Sequence, residues 1–312
     1  MKTIRIGTSE LVSTRLAYGC WRLTETSRAP MATGEGDECG RRAVIAAYEA
    51  GYTLFDHADI YGGGKCESLF GEVLGSVPGM RDRILVATKC GIRLEGEPGP
   101  GSPHRYDFSA SHIIASCERS LKRLGIETID LYQLHRPDYL ADPEEVATAF
   151  SRLRQAGKVR EFGLSNFRPS LVAALQKACP MPLIVHQVEI SLARLDCFTD
   201  GTLDQCLTEK MTPLAWSPLA GGSLGSRADN GENARPTLNA VLEVLGSIAR
   251  DRGMPASAIA LAWLLKHPGG IIPIVGSTNP DRIRAAAKAD DVDLTRDEWY
   301  RLLLAARGED LP

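Results

Sequence analysis

An aspartate and a tyrosine, Asp56 and Tyr61, stand five residues apart in "FDHADIYGGG", where an apolar run gives way to glycines. A tyrosine ionises near about pH 10, so at neutral pH it keeps its proton and is a sluggish acid unless a cation stands beside the phenolate. Three further segments offer such company: "ILVATKCG" carries Lys89, "DLYQLHRPD" carries His135, and "VREFGLSNF" carries Ser165 and Asn166. A sixth apolar run adds Gln187 and Glu189, and "LAWSPLAGG" adds Trp216 and Ser217. Phenol, ammonium, carboxylate and imidazole make chemical sense as a proton donor with its tuning groups. Lys89 would stabilise the phenolate and move Tyr61 toward the working range, and Asp56 would keep Lys89 charged and placed. His135 would donate to a carbonyl oxygen on which negative charge grows. Taken singly, each has an ordinary explanation as a helix cap, a snorkelling lysine, a core histidine or an amphipathic plug. The chemistry exists only if the fold brings them to one place.

The spacing of apolar residues predicts such a fold. Eight short, often β-branched runs, at 16–22, 52–56, 83–89, 129–134, 159–164, 183–188, 212–216 and 271–275, read as strands. Helical periodicity follows at 38–50, 65–75, 110–123, 143–156, 169–178, 202–208, 256–266 and 280–288. Asp142 and Asn279, each before a proline, mark helix starts. Strand and helix alternating through the chain imply parallel strands with helical crossovers, and eight units in 312 residues favour a closed (β/α)8 TIM barrel over an open sheet. The segment before Leu16 is expected to form a hairpin closing the barrel's bottom, and 237–252 is an additional helix, with extra helices at the C-terminal end, all within one domain spanning 1–312. In such a barrel the carboxyl ends of the strands carry the site, and the chemistry-bearing residues above all fall at predicted strand ends. Two long connections, 92–109 and 218–236, read as loops over that face, the second placed to close over a cofactor.

Composition narrows the partners. A formal charge of −3 gives no electrostatic reason for nucleic acid or an acidic membrane surface, so a small molecule is the expected partner. The start lacks the pattern of a secretory leader and no run has the length of a membrane helix, which predicts a cytoplasmic protein, read as a monomer. Eight scattered cysteines without a C-x-x-C pair are expected to be reduced thiols. "GGG" at 62–64 follows no phosphate-loop pattern and reads as a turn; His57 and Asp59 lack the further ligands a metal would need, so no metal is expected.

The ordered set of motifs resembles the aldo-keto reductase family. "FDHADIYG", "TKCG" and "QLHRPD" are similar to its catalytic segments, "GKVREFGLSNF", "QVEIS" and "LAWSPLAGG" to its nicotinamide-binding segments, and "IPIVGSTNPDRIRAA" to its site for the adenosine phosphate. The "HADIYGG" and "AWSPLAGG" variants resemble those of its bacterial YdhF-like branch. The resemblance runs from about Leu16 to Ala287. It implies Tyr61 as general acid, with Asp56, Lys89 and His135 in the roles given above. It implies Ser165, Asn166 and Gln187 on the nicotinamide carboxamide, the Trp216 ring stacked on the nicotinamide, and Gly19, Trp21, Ser217, Leu219 and Gly221 beside the cofactor. Trp21, Ile60, the 92–109 loop and the residues after His135 and Asn166 are also expected in the pocket wall. Gly276, Ser277, Thr278 and Arg282 would hold a 2′-phosphate, the arginine fork assisted by amides at a helix start, which favours NADPH over NADH. Gly276 departs from the lysine of many members, and Ala285 and Ala286 from glutamate and asparagine, so the NADPH preference rests on fewer contacts. The implied activity is reduction of aldehydes or ketones to alcohols. Two other readings fit the residues: a cofactor-binding redox sensor without turnover, and a Schiff-base aldolase using Lys89, which Asp56 opposes by keeping the lysine protonated.

Overall fold

The computed structural model describes residues 1–24, 36–225 and 236–311. Strands β1 (Thr3–Arg5) and β2 (Val12–Thr14) form an antiparallel hairpin. Eight parallel strands then close a barrel: β3 (Ala17–Gly19), β4 (Leu54–Asp56), β5 (Leu85–Cys90), β8 (Ile129–Leu134), β9 (Val159–Ser165), β10 (Leu183–Glu189), β11 (Thr212–Trp216) and β12 (Ile272–Val275). β12 pairs with β3, which leaves no edge. The remaining strands, β6 (Ile92–Arg93) and β7 (Arg105–Tyr106), make a small hairpin within the long 92–109 connection, tied by an Arg93–Asp107 ion pair at 2.7 Å.

Helices α1 (Gly36–Glu49), α2 (Lys65–Ser76), α3 (Ala110–Leu124), α4 (Pro143–Gln155), α5 (Pro169–Ala178), α6 (Thr202–Glu209), α8 (Ala256–Leu265) and α9 (Pro280–Ala287) ring the barrel, with α7 (Pro236–Arg252) and α10 (Arg296–Arg307) added. The expected caps are present: Asp142 accepts from Glu144 N, and Asn279 from Asp281 N and Arg282 N. α10 packs on α7 and falls under the expected extra C-terminal helices, without predicted bounds. Its signal is a capping box, in which Thr295 and Glu298 satisfy each other's backbone amides, with Trp299 stacked on Trp263 at 5.1 Å. Arg252 of α7 reaches Glu298 at 2.5 Å. Of the 218–236 connection, residues 226–235 lie outside the described residues.

Ile6 and Leu11 fill the amino end of the barrel against Leu54, Ala87, Leu131, Ile184, Leu214 and Ile272, so the first hairpin closes the bottom as expected. Above this apolar layer the interior becomes polar. Gly163 makes room there: a Cβ would stand 2.9 Å from the Val185 carbonyl oxygen. Beside it Gln133 is fully buried, and neither atom of its amide has a hydrogen-bond partner among the described residues. An unpaired buried amide costs about 1–3 kcal/mol. Gln133→Met is therefore expected to raise stability by about 1 kcal/mol, read as a higher midpoint in urea with an unchanged slope.

Candidate active site

Alternation along each strand places the site. Leu54, Ala87, Leu131 and Leu214 point into the barrel. Two residues further on, the same face carries Asp56, Lys89, Gln133 and Trp216. Intervening residues point outward to the helices: Phe55 and Val86 into one apolar cluster, Tyr132 and Leu134 into another. Ladder bonds continue past the strand ends, with Asp59 N donating to Lys89 O, His135 N to Cys90 O and Asn166 N to Gln187 O. The mouth is thus built on backbone pairing.

Lys89 is fully buried, and its Nζ donates to Asp56 Oδ2 at 2.7 Å, the His57 carbonyl at 2.6 Å and Tyr61 Oη at 3.2 Å. Gln187 Nε2 donates to the other oxygen of Asp56 at 2.8 Å. Tyr61 meets the His135 ring edge to face, with centroids 5.8 Å apart. The four groups expected to act together do stand together. Because the ammonium donates to the phenol oxygen, the phenol's own proton points away from Lys89.

Tyr61 sits on a tight turn, 61–64, whose glycines Gly62, Gly63 and Gly64 have φ of +57°, +64° and +89°. At Gly64 a side chain would also strike Arg123, whose Cδ lies 2.9 Å from the Cβ position. Arg123 is fixed by Glu67 Oε2 at 2.7 Å, and Glu67 Oε1 accepts from Thr88 at 2.6 Å, on the outward face of β5 directly behind Lys89.

Burial raises the pKa of Tyr61, Lys89 pulls it down, Asp56 pushes it up, and the net position is above the ordinary value. The expectation that Lys89 brings Tyr61 toward neutrality is corrected here: desolvation of the phenolate outweighs the cation. Burial likewise opposes the charge on Lys89, but Asp56 and Tyr61 more than offset it, and the ammonium is held above its usual range. His135 is driven well below its ordinary range by burial and then by Lys89 and Arg136, so it is a neutral imidazole. Its Nδ1 is buried without a partner, and we therefore assign the proton to Nε2. His57, packed on Phe70 at 4.5 Å, is lowered to about 3 by burial and Lys89 and stays neutral.

Asp59, two residues before Tyr61, is raised to about 7 by burial and by Glu67, against the pull of Arg123, Arg119 and Ser116, and its Oδ1 is unpartnered. An acid with a folded pKa above its unfolded value of 3.8 loses stability for the fold as pH rises through that window and carries the full cost above about 7. Asp59→Asn is expected to be more stable than the parent by about 2–4 kcal/mol at pH 8, with the gain vanishing near pH 4 in denaturant titrations.

The residues expected near a cofactor occupy one sector. Asn166, at φ +66°, donates to Ser165 Oγ at 2.7 Å and to the His135 carbonyl at 3.2 Å, and its Oδ1 accepts from Trp216 Nε1 at 2.9 Å. That bond fixes the plane of the Trp216 ring. Ser217, at φ +49°, follows it, then half-buried Leu219 and exposed Gly221. Gly19 ends β3, where a Cβ would meet Ile274 Cγ2 at 2.8 Å. Trp21 is 52% exposed, under the Arg22 guanidinium. At the end of β12, Gly276 has open space around it, Ser277 accepts from Asn279 N, and Thr278 lies half-buried. Arg282 is exposed and makes no ion pair among the described residues. The amides of Asp281 and Arg282 at the start of α9 are already satisfied by Asn279 Oδ1, so these helix-start amides, expected to assist the arginine, are taken within the chain.

Arg136, directly after His135, falls in the stretch expected to contribute to the pocket wall but was not singled out; its guanidinium carbon stands 5.7 Å from the Trp216 ring centroid. Its position directly after the histidine in "QLHRPD" was the available signal.

A closed barrel with a buried lysine–aspartate pair reaching a tyrosine and a histidine at its carboxyl end defines an oxidoreductase class, and the chain belongs to the Aldo/keto reductase family, whose model matches residues 15–303. It is 41% identical over 314 residues to the 6-dehydroglucose reductase of Novosphingobium aromaticivorans, covering 99% of this chain and 96% of that one. It is 40% identical over 304 residues to the oxidoreductase YdhF of Escherichia coli, covering 96% and 95%, so the YdhF-like branch suggested by its motifs is confirmed. Among solved structures, the glycerol dehydrogenase of Gluconobacter oxydans superposes with a TM-score of 0.85 at 27% identity, over 99% of this chain and 97% of that one.

Proposed function

We propose that this chain reduces the aldehyde or ketone group of small molecules to an alcohol, using NADPH, with Tyr61 as general acid. One observation carries the reading: Lys89 Nζ stands 2.7 Å from Asp56 and 3.2 Å from the Tyr61 oxygen, beside His135. A substrate carbonyl oxygen set at the mouth accepts from Tyr61 Oη and His135 Nε2. Both donors are neutral and protonated, so they favour the form in which that oxygen carries charge. As charge grows there, Tyr61 delivers its proton, and Lys89 holds the resulting phenolate while Asp56 and Gln187 hold Lys89.

The nicotinamide supplies the hydride when bound. The residues present suit it: a flat ring anchored through Asn166, the polar side chains Ser165 and Gln187 beside it, and an exposed guanidinium at Arg282 for a 2′-phosphate. A Schiff-base role for Lys89 is disfavoured, because a nucleophilic amine must be uncharged and this ammonium is held above its usual range.

The test is NADPH oxidation, followed by absorbance, across a panel of carbonyl compounds that includes oxygen-rich aldehydes of the kind named by the 6-dehydroglucose reductase relative. Turnover with at least one supports the reading. Tight NADPH binding with no turnover on any would make the protein a cofactor sensor.

A further inference from the structure

We infer that Arg136 forms a substrate subsite selecting carbonyl compounds that carry an oxygen acceptor, a hydroxyl or an anionic oxygen, close to the reacting carbonyl. The inference rests on the reductase reading above. Arg136 follows His135 at the end of β8, so its backbone is anchored one residue, about 3.8 Å, from the group that holds the carbonyl oxygen. Its half-buried side chain leans over the Trp216 ring at 5.7 Å. It therefore stands at the mouth between the two groups that frame a bound substrate.

The acids within reach are engaged elsewhere. Asp56 is held by Lys89 and Gln187. Asp138, two residues along, accepts from Phe108 N at 2.9 Å and Leu140 N at 3.0 Å. Glu189 lies 3.9 Å from Arg194. Among the described residues Arg136 makes neither an ion pair nor a hydrogen bond, and its contact is the ring face. Lys89 and Asp56 cancel as a pair, which leaves Arg136 beside them as a charge with no ion partner among the described residues.

A guanidinium holds five donors in a fixed fork and accepts nothing, so its complement is an oxygen acceptor, best of all an anionic one. A substrate lacking that oxygen leaves the fork with the indole alone. An aldehyde with a neighbouring hydroxyl or carboxylate gains charge-assisted hydrogen bonds, which at their usual strength correspond to roughly a tenfold to hundredfold preference.

The test compares the parent with Arg136→Met and Arg136→Lys on propanal, glyceraldehyde and glyoxylate, at saturating NADPH. Arg136→Met is expected to lower kcat/KM for the two oxygen-bearing aldehydes at least about tenfold more than for propanal. Arg136→Lys should recover part of the loss, mainly on the carboxylated substrate, because a point charge replaces the fork. A selective loss on the carboxylate arm alone supports an anionic substrate; a loss on both arms supports oxygen acceptors generally. Losses equal across all three substrates within about threefold overturn the subsite and leave the reductase reading standing. Failure of the parent to turn over any of the three, with NADPH bound, overturns both.

Discussion

Tyr61→Phe is expected to lower the rate of carbonyl reduction by about 10²- to 10⁴-fold, the range that a positioned general acid contributes. Cofactor binding should be unchanged. The substitution removes one oxygen and leaves the ring against His135 and the glycine turn, so the mouth keeps its shape. Lys89 loses one acceptor of three and retains Asp56 and the His57 carbonyl, so stability should fall little. Steady-state rates with a reactive aldehyde, paired with NADPH titration by fluorescence, separate the two effects. A variant that binds NADPH normally and keeps more than a tenth of the parent's kcat would remove Tyr61 as the acid.

Lys89→Met is expected to affect both activity and folding. The ammonium is fully buried, and its loss leaves Asp56, 3% exposed, with Gln187 as the remaining partner found in its vicinity. Breaking one side of a buried pair costs about 3–5 kcal/mol, and the rate should fall at least about 10²-fold, because nothing then stabilises the Tyr61 phenolate. The pH dependence has a definite sign. An unpaired, buried Asp56 is harder to ionise folded than unfolded, so the deficit is largest at high pH and shrinks as acid protonates it. Adding Asp56→Asn should return much of the stability and none of the activity. Urea midpoints at pH 5 and pH 8 for the single and double variants check this; a pH-independent deficit that the second substitution does not relieve would refute a pair held by charge.

The shifts of Tyr61 and Lys89, both upward, act on groups of opposite charge type and set the resting state of the site. The site keeps the phenol protonated and the lysine charged across neutral pH, a resting state primed to give a proton. Behind the mouth, the bonded chain Thr88–Glu67–Arg123 packs against Gly64 and backs the turn that carries Tyr61.

The eight strands and their helices were legible because β strands repeat every two residues and helices about every 3.6, and both patterns are written in the order of apolar side chains. The four chemistry-bearing residues were legible for the same reason. Two of them, Asp56 and Lys89, stand two residues beyond the inward Leu54 and Ala87, so the strand period aims both into one mouth, while Tyr61 and His135 lie just past strand ends at that same face. α10 falls under the expected extra C-terminal helices, but its bounds were not read, although the capping box of Thr295 and Glu298 marks its start.

What the linear order of residues settled, then, was which side chains point inward and at which end of the barrel. Distances across the mouth belong to the tertiary structure, because they join segments separated by up to 131 residues, as in Gln187 with Asp56. So do the sign of the Tyr61 shift and the lack of an ion partner for Arg136 among the described residues. Each depends on what is absent from around a group, water for Tyr61 and a carboxylate for Arg136, and absence in space leaves no mark on the sequence of the chain.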